Sequence, residues 1–219
     1  MKKQTCLLNL FAFALIASIP TALAAVTPDA SIQALKDGNT RYINGKSIHP
    51  RIDADRRKMT ALEGQTPISA ILGCADSRVP PEIIFDQGFA DLFVVRVAGN
   101  VCAVPEIASI EYAVAVLKVP SIVVIGHTKC GAVDAAIKNG PLPGSLPDLV
   151  KMIRPAVETC EKDKTSKTDL LTRATEQNVR NTIADLSKSP VIKEAIDSKK
   201  LKIVGAIRHI KDGHVSWLK

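Results

Sequence analysis

Two short runs carry side chains that could do chemistry together: Cys74-Ala-Asp76-Ser-Arg78 and His127-Thr-Lys-Cys130. Cys74, His127 and Cys130 offer two thiolates and one imidazole. These are borderline-to-soft donors of the kind that suit zinc. Three protein ligands would leave one tetrahedral position for water, and a metal there lowers the pKa of that water from about 16 to about 7. Hydroxide would then exist at neutral pH and could attack an electrophilic carbon. Asp76 has two possible jobs: it could close the site as a fourth ligand, or it could accept a hydrogen bond from the water and orient it. Arg78 lies two residues on and can grip that carboxylate through a bidentate pair. An Asp–Arg pair able to swing onto the metal would make an on/off switch. The alternatives are plainer: Cys74 and Cys130 as buried core thiols or one disulfide, and Arg78 as a surface ion pair. Neither run is specific alone; the two together, each following an apolar segment, are.

The elements that must position these runs read as an α/β fold. Buried-strand candidates are Ile68–Gly73, Leu92–Val97, Ile122–Gly126 and Leu201–Ile207, short and apolar. Pro105–Leu117, apolar at helical spacing, lies between the second and third. Strand, helix, strand in this rhythm means parallel strands joined by crossover helices. Further helices are expected over Ala132–Lys138, Leu146–Cys160, Asp169–Leu186 and Val191–Ser198. Asp212-Gly213 signals a hairpin turn into a short antiparallel edge strand, Val215–Leu218. The expected architecture is therefore a mostly parallel sheet of about four strands plus that edge strand, flanked by helices. Cys74 and His127 each begin where a strand ends, and ligands of open α/β sheets gather beyond the carboxyl ends of strands. Two N-terminal helices precede the sheet. One starts at Thr27-Pro28-Asp29 and runs to about Tyr42, and the other runs from Asp53 to about Leu62 before Gly64. Both are expected to bury little by themselves and to lie against a partner subunit.

Composition narrows the class. The 219 residues are 46% apolar but only 4% aromatic, which fits one domain with an aliphatic core. Lys2 and Lys3, the apolar run Leu7–Ile19 and Ala22-Leu23-Ala24 have the order of a secretory signal, with cleavage expected after Ala24 and one domain over 25–219. The apolar run is too short to span a bilayer, so no membrane anchor is expected and the protein should be periplasmic or secreted. Removing 1–24 leaves 27 basic against 22 acidic side chains, scattered except at Lys199, Lys200 and Lys202, which argues against nucleic-acid binding. It also leaves Cys74, Cys102, Cys130 and Cys160, for which an oxidising compartment permits three disulfide connectivities.

From Gly64 to Leu218 the chain resembles the beta-class carbonic anhydrases. The segments that carry the likeness are Gly64-Gln-Thr-Pro67, Cys74-Ala-Asp-Ser-Arg78, Phe93-Val-Val-Arg96, Ile110-Glu-Tyr-Ala113, Gly126-His-Thr-Lys-Cys-Gly-Ala132 and the ending Asp212-Gly-His-Val-Ser-Trp-Leu218. The resemblance implies reversible hydration of carbon dioxide to bicarbonate and a proton. It implies zinc on Cys74, His127 and Cys130, with Asp76 and Arg78 orienting the water. It makes Gln65 an amide that binds bicarbonate, Phe93 and Tyr112 an apolar wall supplied partly by a neighbouring subunit, and the N–H of Gly131 a further anion contact. It also implies a homodimer or homotetramer. The sequence departs from the family at Arg96-Val-Ala-Gly-Asn100, which leaves that loop's shape open. It departs again at Arg208-His209, where an aromatic–acid pair is common, and at Ile71, where some members carry a Trp that helps form an inhibitory bicarbonate pocket. No inhibition of that kind is expected here.

Other residues read as structural: Cys102, Cys160, Asp91, Glu111 and a Trp217 packed on the last strand. His49, His209 and His214 read as surface histidines sooner than proton relays. Three rival functions share these residues. Hydrolysis of carbon disulfide or carbonyl sulfide could use the same ligands. A binding module with a structural zinc would need a closed metal. A thiol oxidoreductase would need the C-x-x-C that the chain lacks.

Overall fold

The computed structural model describes residues 26–163 and 168–219. The leader expected at 1–24 lies outside the described residues. Five strands form one sheet: β1 Ser69–Gly73, β2 Leu92–Arg96, β3 Ser121–His127, β4 Lys202–Arg208 and β5 Val215–Trp217. Their order is β2-β1-β3-β4-β5, parallel except for the antiparallel β4–β5 pair. The chain leaves β1 towards β2 on one side and returns to place β3 on the other. The exits of β1 and β3 therefore flank the point where the winding reverses, the place where such sheets form a crevice.

The eight described helices are α1 Pro28–Ile43, α2 Ala54–Glu63, α3 Pro81–Ile84, α4 Val104–Ala115, α5 Gly131–Lys138, α6 Leu146–Lys162, α7 Leu170–Leu186 and α8 Pro190–Asp197. Their starts follow from local chemistry. Thr27, Asp53, Asp169 and Ser189 each accept a hydrogen bond from an otherwise unpaired first-turn N–H, and Pro28 and Pro190 occupy first-turn positions where no N–H is needed. The Ala103 N–H that precedes α4 is taken by the Glu106 carboxylate. The short α3 was not expected; it has no side-chain cap, and four residues are too few to show a helical period.

The sheet carries two cores. Ala70, Leu72, Ile122, Val124 and Ile207 pack with Ile110, Ala113, Val179 and Ile192 of α4, α7 and α8. Ile71, Val123, Ile125 and Ala206 pack with Leu35, Ile84 and Phe85, and this second core reaches round the strand ends to Cys74, Cys130, Val133 and Ile153. Burying each such aliphatic side chain contributes about 1.5–3 kcal/mol. Gly126 lets α7 approach, because a Cβ there would lie 2.8 Å from Val179 Cγ2.

The N-terminal helices divide. Helix α2 buries none of its residues, as expected. Helix α1 does not bury little: Ser31, Ile32, Leu35, Gly38 and Asn39 are buried. Ser31 Oγ lies 2.6 Å from Ser121 Oγ, and Asn39 Nδ2 donates to the carbonyls of Ile84 and Gly213. Those polar contacts to a strand, a short helix and a turn far off in the sequence are invisible to periodicity. Asp91 is structural, accepting from Arg51, Arg56 and the Gly88 N–H. Glu111 accepts from Ser189, and Trp217 packs against Phe85 with centroids 6.3 Å apart.

Candidate metal centre

Strand β1 delivers Cys74 and strand β3 delivers His127. The turn after β3 then places Cys130 as the residue before α5. Their ligand atoms all lie within 4.8 Å of one another, and the three side chains are buried. His127 is 1% exposed. Its Nδ1 lies 3.0 Å from the Thr128 carbonyl and donates to it, which leaves the Nε2 lone pair facing the sulfurs. That Nε2 is buried with no hydrogen-bond partner. An orphaned buried acceptor costs free energy unless something fills the place, and an imidazole oriented by its second nitrogen is the usual form of a metal ligand.

The thiols are prepared unequally. The Cys74 thiol is held well below its ordinary pKa, first by the hydrogen bond from Cys130, against burial, and with help from backbone N–H groups. The N–H groups of Asp76 and Gly99 point at its sulfur from 3.4 and 3.3 Å. Cys130 is pushed the other way by the same thiol pair and by burial. Within the pair Cys74 is therefore the readier thiolate, and a cation bound there would favour the thiolate form of both.

Asp76 is not a member of the three-residue group. Its Oδ2 lies 3.8 Å from His127 Nε2. The Arg78 side chain grips it in the fork anticipated from spacing, Nε to Oδ1 at 2.9 Å and Nη2 to Oδ2 at 2.7 Å, and the Arg78 N–H adds a third bond. Those bonds hold the Asp76 carboxyl far below the usual carboxylate range.

Two features of the site went unread in the sequence. Gly99, within the single 3-10 turn Ala98–Asn100, has φ +72°, and a Cβ there would lie 2.5 Å from Ile153 Cδ1. Only glycine brings its N–H to the Cys74 sulfur from that conformation. This answers the departure at Arg96–Asn100, where the loop turns tightly over Cys74. Arg96 is the second feature. From the end of β2 its Nε donates to the Cys74 carbonyl at 2.9 Å and its Nη2 to the Asp76 carbonyl at 2.5 Å. In the sequence Arg96 belongs to the strand candidate Leu92–Val97, to the family likeness and to the departing run Arg96–Asn100, and none of these gives it a role at Cys74.

The remaining candidates separate. Gly131 opens α5 beside Cys130, and the space a Cβ would occupy there is open. The rings of Phe93 and Tyr112 lie tilted against each other with centroids 6.1 Å apart. Phe93, however, packs on the α4 core, the opposite face of the sheet from Cys74 and Cys130. Gln65 precedes β1, whereas Cys74 follows it, so at about 3.3 Å per residue the strand alone separates them by roughly 16 Å. Gln65 thus stands at the entry to β1 and Cys74 at its exit, and Phe93 with Tyr112 stands on the α4 side of the sheet. Ile71 is wholly buried between Val94 and Val123. Cys102 and Cys160 are free and buried, and no disulfide joins Cys74, Cys102, Cys130 or Cys160.

A family profile described as carbonic anhydrase matches residues 69–215. The chain belongs to the beta-class carbonic anhydrase family. It is 46% identical over 191 residues to carbonic anhydrase 2 of Mycobacterium tuberculosis, covering 85% of this chain and 90% of that protein. It is 42% identical over 193 residues to the carbonic anhydrase of Mycolicibacterium smegmatis, covering 86% and 92%. Among solved structures, it resembles a tetrameric beta-carbonic anhydrase of Sordaria macrospora with TM-score 0.69 and 27% identity over 86% of this chain and 96% of that one. The beta-carbonic anhydrase CafA of Aspergillus fumigatus gives the same TM-score at 29% identity, over 86% and 90%. As a carbonic anhydrase the protein is an enzyme, and the family supports carbon dioxide hydration as its reaction. No described helix is long and apolar enough to cross a membrane.

Proposed function

We propose that this protein catalyses the reversible hydration of carbon dioxide to bicarbonate and a proton, with zinc held by Cys74, His127 and Cys130. The observation that carries this is the buried His127 Nε2, partnerless and within 4.8 Å of two thiol sulfurs. The donor set fits zinc in type and number. Bound there, zinc supplies the Lewis acidity that makes a water ionise near neutral pH.

The chain's own residues do the rest. Asp76 accepts a hydrogen bond from the reacting water and orients it, and the Arg78 fork keeps that carboxylate ionised and aimed. Of the two jobs open to Asp76, orientation is the one its bidentate pair with Arg78 supports. The N–H at the start of α5, from Gly131, meets the bicarbonate oxygens as charge develops. Gln65, Phe93 and Tyr112 serve a second copy's site, Gln65 binding the anion and the two rings forming a dry wall that admits uncharged carbon dioxide. This requires a homodimer or homotetramer, and the bare face of α2 is its natural contact. We place the mature protein, residues 25–219, in a periplasm or outside the cell after cleavage of the leader.

Stopped-flow hydration by the mature protein, before and after treatment with a chelator, tests the reading. Activity should be lost on chelation, return with zinc, and rise across about pH 7 to 9. A parallel assay on carbon disulfide and carbonyl sulfide separates the hydrolase alternative. One tightly held zinc per chain with no turnover of any of the three substrates would overturn catalysis in favour of a structural metal.

A further inference from the structure

Hydration by this site needs Asp76 close to the metal group without joining it. The Arg78 fork closes only a local loop, since the two residues are two apart and both can move with the same turn. Something outside the turn must set where the turn sits. The Gly99 N–H meets the Cys74 sulfur and Arg78 Nη2 donates to the Lys129 carbonyl at 3.4 Å, and three contacts to the backbone of the turn come from the end of β2: the Val97 carbonyl accepts from the Ala75 N–H, and Arg96 donates to the carbonyls of Cys74 and Asp76. Arg96 lies in register with Gly73. It therefore ties the carbonyl of a metal ligand and the carbonyl of the dyad acid to one rigid planar group on a neighbouring strand.

We propose that Arg96 is a positioning residue for the hydration reaction, a two-pronged clamp that holds the Cys74–Asp76 turn so that the Asp76 carboxylate faces the metal centre without binding it. This rests on the reading of Cys74, His127 and Cys130 as zinc ligands and adds a residue that touches neither substrate nor metal. Lysine cannot replace it, because a single ammonium does not present two donors in a fixed fork. When the clamp is lost, the turn is free to close and Asp76 can become a fourth ligand.

The test compares the wild type with Arg96→Met, which keeps the apolar stem, Arg96→Lys, and Arg96→Met combined with Asp76→Asn. Each is purified in its zinc and cobalt(II) forms. Zinc should stay at one per chain in all four. Hydration by Arg96→Met should fall in kcat by roughly a hundredfold, the cost of displacing a reacting group by about an ångström, and Arg96→Lys should recover little. The decisive readout is the visible spectrum of the cobalt form. It should change with pH in the wild type, lose that pH dependence in Arg96→Met, and regain it in the double variant, where the amide is a poor ligand. Wild-type kcat with a pH-dependent cobalt spectrum in Arg96→Met would overturn the clamp alone. So would a fall in melting temperature with the spectrum unchanged, which is the mark of a purely structural role. A wild type that retains no metal would overturn the clamp and the zinc reading together.

Discussion

Cys74 shares a residue type and a degree of burial with Cys102 and Cys160, yet its surroundings shift its thiol in the opposite direction. Cys74 is 4% exposed and Cys102 is 7% exposed, so access to water does not distinguish them. Around Cys74 lie a second thiol and two backbone N–H groups aimed at the sulfur. Around Cys102 burial dominates, the carboxylates of Asp185 and Glu106 add to it, and the thiol is pushed up to about 11. Cys160 is likewise raised by burial. A buried thiol is inert by default; what turns one into a ligand is a set of donors and a partnerless imidazole converging on the same point.

The strongest way to break this comparison is to exchange the roles. Cys74→Ser and His127→Ala should each lose zinc, read by metal analysis, and lose hydration by more than about a thousandfold, because the metal supplies most of the rate. Cys102→Ser and Cys160→Ser should keep both. Next in size is Asp76→Asn, which should retain zinc and lower kcat by about a hundredfold or more, the cost of a misplaced reacting water; full turnover would remove Asp76 from the chemistry. Smaller again is the stability cost of Cys102→Ser, about 1–3 kcal/mol in a denaturant titration for a hydroxyl buried among apolar atoms, with kcat unchanged.

The smallest effect concerns carboxylates, where the same contrast holds. Asp76 and Asp86 are both held below the usual carboxylate range, one facing the metal group and the other pinning the 45–52 loop. For Asp86 burial pushes upward, but the Arg41 side chain and the N–H groups of Ile48 and His49 outweigh it. A carboxylate depressed in the folded state adds stability that is present above its unfolded pKa, about 3.9, and is lost as pH falls through the lower folded value. Melting temperature should therefore hold near pH 6 and drop below about pH 4, and Asp86→Asn should flatten that slope.

Much of the molecule was legible before its coordinates. All five strands are legible within a residue or two, the four parallel ones because they are continuous apolar runs and the antiparallel edge strand because Asp212-Gly213 marks the turn into it. Both half-sites were legible because metal ligation restricts residue type severely. What escaped depended on contacts between distant segments. Arg96 and Gly99 act on Cys74 from a different strand and its following turn, and the run Arg96–Asn100 stands out in the sequence only as a departure from the family, without showing what it touches. Helix α1 was underestimated because its seat uses Ser31 and Asn39, polar residues that count as surface in any hydropathy pattern. Phe93 and Tyr112 are in ring contact, but no pattern along a chain says on which face of a sheet they stand relative to Cys74.

The amino-acid order alone determined which atoms this protein has for binding a metal and that each group follows the end of a strand, since both are local properties of composition and period. Only the tertiary structure decided that β1 and β3 are neighbours at the reversal of winding, so that two sulfurs and one imaidazole nitrogen meet within 4.8 Å. It also decided that Asp76 stays beside them in the grip of Arg78 and Arg96. Strand order and turn placement are set by the summed packing of the whole sheet, and no short stretch of residues contains that sum.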